Sequence, residues 1–174
     1  AKINDYLFVS GTGVASDIEL FKKIIRAELK LKELRDKKRP TIKEAANFIA
    51  LYSYKNIRQP AMIPFTAGLM IAGINDDRTT ELYSVEPAGT PSQIKDYDAN
   101  FSSGMPYILG LLERQYKKDM TTEEGQKLAV EAIKASSERD TASGYGVDVF
   151  TITKDGIKHS VRQKAEAVYS DEKE

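Results

Sequence analysis

Three short clusters in this sequence carry groups suited to chemistry. Ser10-Gly11-Thr12-Gly13 offers backbone amides that a glycine turn could expose to an oxyanion. It is not a phosphate loop of the usual spacing, because the glycine after Gly13 is Gly68 and no GxGxxG or Walker pattern forms. Ser102-Ser103-Gly104-Met105-Pro106 and Arg139-Asp140-Thr141-Ala142-Ser143-Gly144 bring hydroxyls and a carboxylate to the ends of expected helices. Each has a plainer reading. The first is a strand stopped by a tight turn, the second a serine-capped helix start with an early proline, and the third a helix end with a glycine stop. Spacing alone identifies no enzyme.

Other chemistries are excluded by residue type. The 174 residues hold no cysteine, which removes disulfides, thiol catalysis and thiolate metal sites together. The one histidine, His159, leaves a single candidate for a Ser-His-Asp triad, and its polar surroundings predict an exposed strand residue instead. No metal and no cofactor is expected. Lysine plus arginine balances aspartate plus glutamate at 26 each, which argues against an electrostatically driven nucleic-acid binder. The basic run Arg35 to Arg39 (RDKKR) reads as the solvated end of a helix, where cations are favoured. No apolar run approaches the about 20 residues that cross a membrane, and no basic-then-apolar leader is seen, so a cytoplasmic protein is expected.

The elements that must position these clusters follow from periodicity and caps. Ile3 to Ser10 reads as a buried strand ending at Gly11 and Gly13. Ser16 and Glu19 form a capping-box pattern for a first helix with Leu20, Ile24, Ala27, Leu31 and Leu34 as its apolar stripe, widened by Phe21 and Ile25. Thr41 and Glu44 repeat the cap after Pro40, and Ala45, Phe48, Ile49 and Tyr52 supply a second apolar face. Ala67 to Ile74 and Glu81 to Val85 predict a hairpin, with a third strand between Ile94 and Phe101. Helices follow at about 104–117 and 122–138, the latter capped by Thr121 and Glu124, and Val147 to Thr153 pairs with Ile157 to Val161 across Asp155-Gly156. With 41% hydrophobic and 30% charged residues and no linker, the chain reads as one domain over 1–174, with helices outside and sheets within.

Against this reading the sequence resembles the β-type subunits of the archaeal 20S proteasome. The resemblance runs through AELKLKELR (Ala27 to Arg35), AGIND and YSVEPAG (between Gly68 and Gly89), and YILGLLERQYKKDM (Tyr107 to Met120). Its most specific stretch is ERDTASGYGVDVFTITKDG, Glu138 to Gly156, which is close to the family pattern ERDxxSGxGIDxxxITKDG.

That resemblance implies an α+β fold, the four-layer αββα sandwich of the N-terminal nucleophile hydrolases. It implies seven-membered β rings stacked with α-ring subunits, and unfolded polypeptides as substrates of a threonine endopeptidase. Neither nucleic acid nor membrane is an implied partner. The nucleophile in such enzymes is an N-terminal threonine hydroxyl whose own α-amino group acts as base. By motif, Gly13 would give the oxyanion-hole amide, and Ser103, Asp140, Ser143 and Gly144 would surround the threonine amine. Gly11 and Ala15 would line the pocket for the residue before the cut bond, a roomy one because both are small.

The departures are specific. The family's threonine and lysine precede the strand that opens here near Lys2, and Ala1 has no hydroxyl. TGSGSP is replaced by FSSGMP, and VGD by VASD. A domain that lacks its nucleophile-bearing segment is therefore expected, with a structural β subunit that builds the ring without cutting as the alternative.

Overall fold

The structure, a computed structural model, describes residues 1–164. Its elements run β1 (Leu7–Gly13), α1 (Ala15–Asp36), α2 (Ile42–Ile57), β2 (Ala67–Ile74), β3 (Thr80–Val85), β4 (Pro91–Ile94), α3 (Met105–Gln115), α4 (Thr122–Ser137), a 3₁₀ turn (Thr141–Ser143), β5 (Gly146–Thr153) and β6 (Gly156–Lys164). The first four strands form one antiparallel sheet in chain order, and β5 and β6 form a second.

Alternation along the strands decides which layer each sheet face meets. Leu7 and Val9 of β1, Leu69 and Ile71 of β2, and Tyr83 and Val85 of β3 are buried with Phe21, Ile25 and Leu29 of α1 and Ile42, Ala46 and Ile49 of α2. The stacked rings of Phe21 and Tyr52, 4.6 Å between centroids, tie the two helices together above that sheet. The opposite sheet face turns Phe8 toward Phe150 of β5, 4.3 Å between ring centroids, so the sheets meet face to face. On the far side α3 and α4 bury Leu112, Leu128 and Ala132 against each other, with Ile108 and Tyr116 packed around them. These are the four layers, αββα, that the resemblance implies.

Local signals explain much of this. Thr41 and Thr121 each accept a hydrogen bond from the backbone of the glutamate three residues on, and Glu44 and Glu124 bond back to the cap backbone. Each such box contributes about 1 kcal/mol and fixes where its helix begins. The β2–β3 and β5–β6 hairpins form where expected.

Five expectations are corrected. Strand β1 begins later than Ile3 and runs straight through Gly11 to Gly13, which pair with Leu69 and Ala67 of β2. Val14, not Ser16, caps α1, and no side chain bonds the cap, because the chain enters the helix directly from the strand end. The buried face of α1 is Ile18, Phe21, Ile25 and Leu29, whereas Leu20, Leu31 and Leu34 are 57%, 51% and 63% exposed. Strand β4 lies at Pro91–Ile94, before the stretch expected; its first residue, a proline that cannot donate to a ladder, suits the sheet edge it occupies. In the basic run, Arg39 is more than a solvated helix end: its guanidinium lies 4.3 Å over the Tyr6 ring and 2.9 Å from Asp76.

Candidate functional site

The two helix-end clusters meet. Ser103 precedes α3, whose cap is Gly104 with no side-chain bond, so its hydroxyl is free for a longer-range partner. It donates to Asp140 Oδ2 at 2.8 Å. Asp140 follows α4 and opens the 3₁₀ turn, accepting from the Ala142 amide on its other oxygen at 3.3 Å. Ser143, at the end of that turn, donates to the same Oδ2 at 2.6 Å. Three donors on one carboxylate stabilise its charge and hold Asp140 below the usual carboxylate range, Ser143 first and Ser103 second. The serine-cap reading fails on geometry, because Ser103 bonds across 37 residues while Gly104 stands at the start of α3; the early proline of that reading holds. The other cluster does follow the end of α4, but its glycine closes the 3₁₀ turn rather than the helix, which is capped at Glu138.

Gly13 sits at the end of β1, in a conformation that only glycine adopts comfortably. Its φ is +120°, and a Cβ there would lie 2.2 Å from the Thr66 carbonyl oxygen. The same carbonyl accepts the Val14 amide at 3.1 Å, so Thr66 fixes the passage from β1 to α1.

A cleft of about 1080 Å³ runs between the sheets and under α3 and α4. Gly11 and Gly13 line it from β1, and Ser103 and Ser143 line it from the other side. Asp140 lies behind the two serines through the bonds just described. Gly144, with φ +76°, follows Ser143, and Ala15 is exposed at the first turn of α1; neither is among the lining residues. The cleft wall is mixed, with Met70, Leu82, Ile108 and Val147 beside Asn100 and the serines. Among the described residues His159 forms no triad: its ring lies 2.8 Å from Asp148 and stacks on Phe150, while the neighbouring Ser160 hydroxyl bonds Thr151.

One polar residue of this region escaped the sequence reading. Ser136 is fully buried in the last turn of α4, its hydroxyl 2.6 Å from that of Ser143. The signal was present: Leu128, Ala132 and Ser136 follow at four-residue spacing, which puts a hydroxyl on the core-facing stripe. Gly104 packs on the same two hydroxyls; a Cβ there would lie 2.0 Å from Ser136 Oγ and 2.7 Å from Ser143 Oγ.

Paired sheets between two helical layers are the αββα sandwich that the resemblance to the N-terminal nucleophile hydrolases implies. The comparisons narrow this. The proteasome subunit family matches residues 1–152. The chain is 39% identical over 156 residues to the proteasome subunit beta of Nanoarchaeum equitans, covering 90% of this chain and 77% of that protein. It is 34% identical over 169 residues to proteasome subunit beta 1 of Hyperthermus butylicus (96% and 78%) and 37% identical over 163 residues to proteasome subunit beta of Methanobrevibacter smithii (94% and 75%). The chain belongs to the proteasome subunit family, on its β side. No helix among the described residues is long and apolar enough to cross a membrane.

Proposed function

We propose that this chain is a catalytic β subunit of a self-compartmentalising threonine endopeptidase. The threonine nucleophile would be carried on a segment outside these 174 residues. In this reading the threonine hydroxyl forms an ester to the substrate carbonyl as the peptide C–N bond breaks, and its proton passes through the α-amine to the departing amine. Water then cleaves the ester and releases the new carboxyl group. Asp140 balances the charge of the amine when it is protonated, Ser103 and Ser143 fix that carboxylate, and the Gly13 amide faces the developing oxyanion. Gly144 and the small residues Gly11 and Ala15 complete the surroundings of amine and substrate. Substrates would be unfolded polypeptides, and partners would be further β subunits in a seven-membered ring and α-ring subunits, in the cytoplasm.

One observation carries this reading: Asp140 takes hydroxyl donors from two separate helix ends and holds them at a cleft whose far wall is Gly11 to Gly13. A second supports the placement of the nucleophile. Lys2 pairs antiparallel with Phe8, and the Ala1 carbonyl accepts the Val9 amide at 2.9 Å. An extended segment joined ahead of Ala1 would continue along the β1 edge toward Ser10 and Gly13, into the cleft.

The test is an epoxyketone or β-lactone probe added to the assembled particle, with intact-mass analysis of each subunit. A mass increase on this subunit is expected. An assembled particle in which this subunit stays unmodified overturns the reading in favour of a structural β subunit.

A further inference from the structure

Asp140 is acceptor-only when ionised, and a serine hydroxyl has a single hydrogen to give. Ser143 gives its hydrogen to Asp140 Oδ2. The 2.6 Å contact between the Ser136 and Ser143 hydroxyls therefore has one consistent direction, with Ser136 donating and Ser143 accepting. Ser136 holds the same turn by its backbone as well, since its carbonyl accepts the amides of Arg139 and Asp140 at 3.1 and 2.8 Å. Its side chain is fully buried, and Gly104 closes over it with no room for a Cβ. A hydroxyl in that place has no solvent partner, so its hydrogen bond to Ser143 is retained rather than exchanged with water.

We infer that Ser136 is a positioning residue of the site: it fixes the Ser143 hydroxyl rotor toward Asp140, and leaves a lone pair of Ser143 facing the cleft for an incoming amine. The relay runs Ser136 to Ser143 to Asp140, one hydrogen bond polarising the next. Its meaning for peptide cleavage rests on the function proposed above; the relay itself does not.

A double-mutant cycle on the full chain tests it, with the Asp140 carboxyl followed by carbon-13 NMR through a pH titration. Ser136→Ala removes the donor and places a better helix former in α4, so the fold should hold. The Asp140 midpoint is expected to move up in Ser136→Ala, and to move no further when Ser136→Ala is added to Ser143→Ala. Added to Ser103→Ala, whose hydroxyl reaches the carboxylate independently, the effects should sum. An unmoved midpoint, or equal shifts in the presence and absence of the Ser143 hydroxyl, overturns the relay. Should Ser136→Ala not fold, Ser136→Cys, a weaker donor, must still shift the midpoint upward, and no shift overturns the relay. In the assembled particle Ser136→Ala is expected to lower kcat about fivefold at unchanged KM, the worth of one hydrogen bond. A wild-type particle that cleaves no peptide would sink the proposed function, and the titration would still decide the relay.

Discussion

Gly13→Ala puts the strand end that faces the serine–aspartate cluster under direct test. At φ +120° an alanine is held in backbone space costing about 1–3 kcal/mol. Its Cβ would lie 2.2 Å from the Thr66 carbonyl oxygen, well inside the 3.0 Å below which real Cβ atoms essentially never sit. That neighbour is backbone, so relief requires β1 and the Thr66 segment to part, which breaks the Val14–Thr66 hydrogen bond, worth about 1 kcal/mol. A destabilisation of about 2–4 kcal/mol follows. Urea unfolding reads it as a fall in midpoint at unchanged m value. Gly110→Ala is the control, since a Cβ in mid-α3 meets nothing within 4 Å and should stabilise by about 0.5–1 kcal/mol. A loss at Gly13 below about 1 kcal/mol, with the control behaving as stated, would refute the claim that this position admits only glycine.

Three further outcomes are expected. Gly104→Ala should push apart the Ser136 and Ser143 hydroxyls and raise the titration midpoint of Asp140 in carbon-13 NMR; an unchanged midpoint would show that the close packing at Gly104 does not hold the network. Asp140→Asn should matter least in acid. The folded Asp140 pKa is depressed, so its stabilisation is complete above the unfolded value of about 4 and is lost as pH falls through the folded value. The stability difference between wild type and variant should therefore shrink in thermal melts as pH drops below about 4, and a difference that grows there would reverse the sign. Thr121→Ala should cost about 1 kcal/mol in urea unfolding through loss of the α4 capping box, and a loss under about 0.3 kcal/mol would show the box is not stabilising.

What the sequence could reveal depended on the range of the signal. The Thr41–Glu44 and Thr121–Glu124 boxes act within one turn, and both formed as read. The first helix is different. Leu20, Ile24, Ala27, Leu31 and Leu34 fit helical spacing as well as Ile18, Phe21, Ile25 and Leu29 do, and periodicity cannot say which of two apolar stripes meets the sheet. The glycines of β1 read as a turn because a strand through glycine needs a close neighbour, and that neighbour, Thr66 with the start of β2, lies far along the chain. At the site, Ser103, Asp140 and Ser143 were named through the family motif, and spacing alone left them as caps. Ser136 stayed hidden because a serine in a helical stretch looks solvent-facing until the adjoining stripe is traced through Leu128 and Ala132.

A structure of the assembled particle bound to a threonine-directed probe would be decisive. The modified threonine is expected in the cleft, its nitrogen within hydrogen-bond distance of Asp140 or Ser143 and its adduct oxygen at the Gly13 amide. A threonine modified elsewhere, with Asp140 and Ser143 remote from its nitrogen, would contradict the role assigned to this cluster.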